Sequence, residues 1–318
     1  QINYIKCFLL QQGDEKMGWR SVIVTQHAKL SYTSHLMVVQ TNDGINQIPI
    51  EDIELLLVST TQAVITSALL SELAKREAKV IFVDNTLQPI CETISYYPNN
   101  RSYELIENEF HWAKHRKEIL WTKIVAAKII NQLQVLDIYG HDISLISDEL
   151  NQLELNDETN REAVVARKYF PLLFENEKFS RRSMTAVNAA LNYGYSILLS
   201  TINRAIVTKG YLTQLGIHHQ NTENQFNLGS DLMEPFRPVI DYWVANQNFT
   251  ELTPDVKFGL VDSLNLEITF NDKKMLVRNA INLYVSQCLN YLSEKSKKIK
   301  IEMRFNNEVP NNALINHV

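Results

Sequence analysis

A change of hydrophobic period near residue 100 limits how this chain can fold more than any other feature of its sequence. From Arg20 to about Ile50 the text RSVIVTQHAKLSYTSHLMVVQTNDGINQIPI carries short β-branched runs, alternating polar positions and turn residues at Asn42, Asp43 and Gly44. These are strand and hairpin signals. IELLLVS reads as another strand, TSALLSELAKREA places Leu69, Leu70, Leu73 and Ala74 at helical spacing behind a Thr or Ser cap, and KVIFVD returns to a buried strand. After Glu104 the spacing turns helical: WAKHRKEILWTKIVAAKIINQLQVL puts Ile119, Ala126, Ile130 and Leu133 on one predicted face. AVNAALNYGYSILLSTINRAIVTKG reads as a long, mostly apolar core helix capped by Gly210. DLMEPFRPVIDYWVANQ reads as a helix disturbed by Pro235 and Pro238, and DKKMLVRNAINLYVSQCLNYLSEK as a last amphipathic helix.

A chain of 318 residues exceeds the size at which one core stops growing, about 250 to 300 residues. The expected fold is therefore α+β in two parts. A small β-rich domain with one helix spans 17–100, with YYPNNRS as its exit, and a larger all-α domain spans 101–305. Residues 1–16, before Met17, and the Asn-rich tail 306–318 are expected to be extensions without a core role.

Charged residues at 21% and hydrophobic ones at 45% exclude collagenous, disordered and disulfide-framework classes. Charges interrupt every apolar stretch before the roughly 18 residues of a membrane span, and no basic leader is evident, so a cytoplasmic location without membrane attachment is expected. Cys7, Cys91 and Cys288 lack the short spacing of a zinc site or redox pair and read as buried free thiols. The net charge of −5 counts against tight duplex binding, which draws on neutralised phosphates. The acidity is uneven, with 11 acidic against 5 basic residues over 103–159 and 9 basic against 7 acidic over 160–245.

Three polar features stand out in the helical half. Glu162 lies among apolar residues in NREAVVARKYF, where it is either a salt-bridged surface residue or a ligand. GIHHQNTENQF carries His218 and His219 side by side; neighbours in an extended loop point different ways, so at most one ligates a given ion, and both are otherwise exposed loop histidines. Asp231 and Glu234 in DLMEPFRP share a predicted helical face. Two carboxylates at about 4 Å and an effective dielectric near 20 cost on the order of 4 kcal/mol, so a cation must relieve them if they converge. Arg237 can do so as a salt bridge; a divalent ion is the functional alternative. Oxygen ligands with one imidazole suit Mg²⁺ or Mn²⁺, and such a site serves phosphoryl transfer. An activated serine or cysteine, a P-loop and a nicotinamide fingerprint are not apparent.

Spacing alone does not join Glu162 to the later loop. The pieces MGWRSVIV, HAKLSY, KVIFVD, WTKIVAAKIINQ, NREAVVARKYF, LNYGYSILLS, GIHH and DLMEPFRP, in that order, resemble the CRISPR-associated integrase family, in particular its compact type II-A branch. The resemblance implies that Glu162, His219 and Glu234 are catalytic metal ligands for Mg²⁺ or Mn²⁺ in the helical domain, with Asp231 as an additional acidic position beside the metal. It further implies homodimers, two of which bridge a small ferredoxin-like adaptation partner and grip a double-stranded DNA fragment. The 3′ hydroxyl of that fragment would attack a phosphodiester at the CRISPR repeat and leader border, a transesterification serving antiviral defence. Arg161, Arg167, Lys168, Arg181, Arg182, Arg204 and Arg237 are candidates for steering phosphates, some of them as plain salt bridges instead. Tyr193, Tyr195 and Phe226 could stack on unpaired bases at DNA ends, but aromatics in a long helix are more often core, and they are left unassigned. The alternatives are a DNA-binding scaffold without catalysis and a stand-alone metal-dependent nuclease of branched DNA.

Overall fold

A computed structural model describes residues 20–85, 89–93 and 102–306. Residues 1–16, the start at Met17, Cys7, most of the YYPNNRS exit and the tail beyond Asn306 lie outside the described residues. The chain divides into two compact units, Gln1–Pro98 and Asn99–Val318.

The first unit carries β1 (Arg20–Val24), β2 (Lys29–Thr33), β3 (Leu36–Thr41), β4 (Gly44–Pro49), β5 (Ile53–Val58), β6 (Val64–Ile65), α1 (Ser67–Lys75), β7 (Lys79–Val83) and β8 (Pro89–Glu92). They form two four-stranded sheets, ordered β1-β5-β7-β8 and β4-β3-β2-β6. β5 is an almost unbroken apolar run because it sits between β1 and β7, both parallel to it, and buries both faces. The predicted hairpin is β3–β4, turning at Asn42 and Asp43. Thr66 caps α1, its Oγ1 accepting the Leu69 N–H at 3.4 Å. Val22, Leu30, Met37, Leu56 and Leu69 meet in one core. Cys91 departs from the buried thiol expected: it lies on the edge strand β8 and is exposed, whereas Cys288 is buried.

The second unit carries α2 (Ser102–Phe110), α3 (Lys114–Ile138), α4 (Ser144–Asn151), α5 (Arg161–Leu173), α6 (Ala186–Val207), α7 (Asn227–Met233), α8 (Arg237–Ala245), α9 (Pro254–Asp262), β9 (Glu267–Phe270), β10 (Lys273–Leu276), α10 (Val277–Leu292) and β11 (Met303–Phe305). The region is helical but not all-α, since β10-β9-β11 form an antiparallel sheet. Lys273–Leu276, assigned from sequence to the last helix, pairs with β9 instead. Asn271 and Asp272 between them both have positive φ, 47° and 68°, the conformation a two-residue hairpin turn demands. No helix of the described residues is long and apolar enough to cross a membrane.

α6 is the central helix, packed by α7, α8, α9 and α10, and Gly210 follows its end at φ +82°. DLMEPFRPVIDYWVANQ is broken rather than merely disturbed: α7 stops at Met233, a 3₁₀ turn runs Glu234–Phe236, and α8 starts at Arg237 with Pro238 in its first turn. This break turns Asp231 and Glu234 to different partners.

The buried face of α3 differs from the one expected. Ile130 is 43% exposed and Ile119, Ala126 and Leu133 are only half-buried, while Trp121, Ile124, Lys128, Asn131 and Val135 point inward. Counting apolar residues alone misplaces the face, because Lys128 and Asn131 are buried with polar partners. Asn131 Nδ2 donates to the Pro235 carbonyl at 2.7 Å and ties the middle of α3 to the 3₁₀ turn. Replacing Asn131 by Ala strands that buried carbonyl, and the expected loss in denaturant unfolding is about 1–3 kcal/mol.

Candidate metal centre

Glu162 is fixed by the start of its helix. Asp157 accepts the N–H groups of Arg161 and Glu162 at 2.6 and 3.2 Å, and Asn160, itself left-handed at φ +53°, accepts that of Ala163 at 3.3 Å. The first turn of α5 is thereby capped, with Glu162 at the end of the helix that favours negative charge.

Glu234 is placed by the 3₁₀ turn and is 4% exposed. Its two oxygens have separate partners: Oε1 accepts from Arg237 Nη1 at 2.9 Å and Oε2 from Lys128 Nζ at 2.5 Å. Lys128 Nζ also lies 2.5 Å from Glu162 Oε1, so one ammonium joins α3, α5 and the turn. The two carboxylate oxygens it contacts are no more than about 5 Å apart. Burial acts against the charge on Glu234, yet Arg237 and Lys128 outweigh it and hold the carboxyl down at about 2. Burial likewise opposes the charge on Lys128, and Glu234 and Glu162 outweigh it, raising the amine above its ordinary value.

Asp231 is fully buried and accepts the backbone N–H groups of Ile217 (2.7 Å), His218 (2.9 Å) and His219 (3.2 Å). His219 Nδ1 donates to its Oδ1 at 2.5 Å, which leaves the other ring nitrogen for a ligand. The loop can pass this close because residue 216 is glycine; a Cβ there would stand 2.2 Å from the His219 carbonyl and 2.9 Å from Asp231 Oδ2. The neighbouring His218 ring stacks on Trp121 of α3, centroids 4.3 Å apart at 8°. The His219 ring meets the same Trp121 edge-on, centroids 5.7 Å apart, so both histidines pack on this tryptophan while His219 alone bonds Asp231 through its ring.

Residues 21–255 match the family profile described as CRISPR associated protein Cas1. The chain belongs to the Cas1 family. It is similar to the CRISPR-associated endonuclease Cas1 of Neisseria meningitidis, with 32% identity covering 89% of this chain and 95% of the relative. It is also similar to an endonuclease Cas1 of Francisella tularensis subsp. novicida, 26% identical over 80% of this chain and 90% of the relative. Two solved structures share the fold at a TM-score of 0.71: a casposase bound to integration product, 22% identical over 86% of this chain and 90% of its own, and a CAS1 protein from Thermotoga maritima, 17% identical over 86% and 96%. A Cas6-RT-Cas1–Cas2 complex shares it at 0.68, with 16% identity over 91% of this chain and 37% of the other.

The donor set in this Cas1 chain has the chemistry of a hard divalent cation: two carboxylates already gathered round one positive charge, and an imidazole anchored through Nδ1. Among the described residues no three His, Cys, Asp or Glu side chains form a ready cation cage, and the ammonium of Lys128 lies between Glu162 and Glu234. The expected basic residues divide by environment. Arg161 and Lys168 each pair with Glu149 at 2.8 Å. Arg181 donates to Asn188 (2.5 Å) and Asn192 (2.6 Å), Arg237 is held by Glu234, and Arg204 is half-buried at the end of α6. Arg167 and Arg182 are exposed. Tyr193 and Tyr195 are buried, and Phe226 is partly so. Sequence reasoning missed Lys128, Trp121 and Asn131; the signal was a lysine seven residues beyond a tryptophan, flanked by the apolar residues of IVAAKII.

A cavity of about 410 Å³ opens beside His219, lined also by Glu109, Lys117, Gln220, Asn221 and Asn224. Glu109 is 1% exposed; its Oε2 accepts the Leu212 N–H at 2.8 Å, and its Oε1 is buried without a hydrogen bond. Burial pushes this carboxyl up to about 8. The fold therefore binds the Glu109 proton more tightly than the unfolded chain does, and loses stability as pH rises from the ordinary carboxylate range through about 8. Glu109→Gln is expected to flatten that decline in denaturant titrations run across the same pH range.

The hydrogen bond that His219 donates to Asp231 raises the His219 pKa, against the opposing effect of burial. A raised histidine contributes stability that is complete below its unfolded value of about 6.5 and is lost as pH climbs through the folded value. In Asp231→Asn the His219 pKa, read by NMR titration, is expected to fall toward about 6.5, and the loop N–H groups at 217–219 to exchange faster with solvent.

Proposed function

We propose that this chain is a metal-dependent DNA integrase of the type II-A kind, which inserts short foreign DNA fragments into a CRISPR array. Glu162, His219 and Glu234 would hold Mg²⁺ or Mn²⁺. The observation that carries the reading is the meeting of Glu162 and Glu234 on one cation, in a Cas1 chain whose relatives are named endonucleases. A divalent ion held there would offset charge at the attacked phosphate and activate the incoming 3′ hydroxyl.

The chain's own groups do the rest. Asp231 holds the imidazole of His219 in one orientation, and Arg237 keeps Glu234 ionised by taking its second oxygen. Arg167 and Arg182, being exposed, are free to meet DNA phosphates. A net charge of −5 leaves little general attraction for a duplex, so the grip on DNA is proposed to need an assembly. The neighbours support one: a casposase with an integration product and a complex of Cas1 with Cas2. We extend this to homodimers of this chain, two of them bridging a small ferredoxin-like partner, with a double-stranded fragment and CRISPR repeat and leader DNA as substrates, in the cytoplasm.

Strand transfer of a labelled fragment into a repeat-bearing plasmid tests the reading. It should require Mg²⁺ or Mn²⁺, and Ala at Glu162, His219 or Glu234 should lower it at least about a hundredfold with the fold intact. Full transfer by Glu234→Ala, or transfer in EDTA, would leave only a DNA-binding scaffold. Cleaved product without joined product would instead indicate a nuclease.

A further inference from the structure

Lys128 has two partners and no part in the chemistry set out above. Its side chain is 8% exposed, Glu234 is 6% and Glu162 is 23%, so the ammonium and Glu234 are both buried and Glu162 lies at the open side of the cluster. A lysine this deep is stable only when paired. Here the pairing also works on the acids: without a cation between them, two carboxylates within about 5 Å would repel and turn apart. Arg237 is not equivalent. It takes the other oxygen of Glu234, and its guanidinium lies over the Tyr195 ring at 4.2 Å, held by the core.

A divalent ion drawing on Glu162 Oε1 and Glu234 Oε2 needs the space and the lone pairs that Lys128 Nζ uses, and like charges at that separation exclude each other. We infer that Lys128 is a resident positioning cation: it keeps Glu162 and Glu234 close enough to act as ligands, and it must be displaced before a divalent ion can enter. The inference rests on the metal-dependent reading. Its consequence is that ion affinity in this chain is set by competition with an internal ammonium, and not by the three donors alone.

The test uses the full chain and Mn²⁺ alone, with binding followed by calorimetry and by loss of the free-ion electron paramagnetic resonance signal. Lys128→Met and Lys128→Gln are expected to bind Mn²⁺ about tenfold or more tightly than the unaltered chain. Both should melt earlier in EDTA and show a larger rise in melting temperature with Mn²⁺. Adding Glu162→Gln to Lys128→Met should remove the gain in affinity. A lysine serving only to stabilise the fold would leave Mn²⁺ affinity unchanged or weakened in both variants, and that result overturns the inference.

Should both variants fail to fold, the unaltered chain still decides. Mn²⁺ should speed reductive methylation of Lys128, followed by peptide mass spectrometry, severalfold over its rate in EDTA; an unchanged rate overturns the displacement. Mn²⁺ binding by neither the unaltered chain nor any variant overturns the metal-dependent reading as well. Binding at equal affinity in all of them overturns the role of Lys128 alone.

Discussion

Charge taken out of water has to be balanced where it stands, and at the centre of this helical unit the balance is two against two. Glu162 and Glu234 face Lys128 and Arg237, each contact between 2.5 and 2.9 Å. Lys128 and Glu234 are buried with two partners each, so removing one member unbalances the set, at a cost of up to about 3–5 kcal/mol where the charge left behind is uncompensated. That penalty makes the geometry collective. Lys128 comes from α3, Glu162 from the capped start of α5, and Glu234 with Arg237 from the turn into α8. None of these elements can shift without unpairing a charge in another. The Asn131 bond to Pro235 and the Thr122 hydroxyl, which accepts the Asn156 N–H at 2.7 Å, brace the same helix against both connections.

Asp231 does comparable work one turn upstream. A connection that passes close to a core must place its backbone N–H groups somewhere. Three of those in 217–219 end on this one carboxylate, and the same carboxylate sets the ring of His219. The residue therefore organises a loop and orients a ligand candidate together. The break between α7 and α8 gives the two acids separate partners, Asp231 the loop and Glu234 the cations. Among solved relatives only 16–22% identical, the fold persists at TM-scores of 0.68–0.71. Packing and patterning tolerate exchange of most side chains.

Local rules carried much of the architecture into the sequence. Alternating and continuous apolar runs marked the strands of the first unit, Thr66 the start of α1, and Gly210 the end of α6, since each depends on neighbours a few residues away. The residues DLMEPFRP and GIHH pointed to the candidate site by resemblance, and the adjacency of His218 and His219 led to the expectation that at most one of them ligates a given ion. What failed had a common cause. The face of α3 was misjudged because burial of Lys128 and Asn131 is decided by partners 34 to 106 positions away. The β9–β10 hairpin was lost to a helix because KKML is neutral between the two until its partner strand is known.

The sequence by itself determined where helices and strands could form, which acids and imidazoles were present, and to which family their order points. It did so because backbone propensity and side-chain chemistry are local properties. Only the tertiary structure decided that a lysine lies between Glu162 and Glu234, that Asp231 holds the loop at 217–219, and that Glu109 is buried with one oxygen unbonded. The reason is physical: a charge acquires its role from the charges and dipoles within a few ångströms of it, and folding alone brings those together from distant parts of the chain.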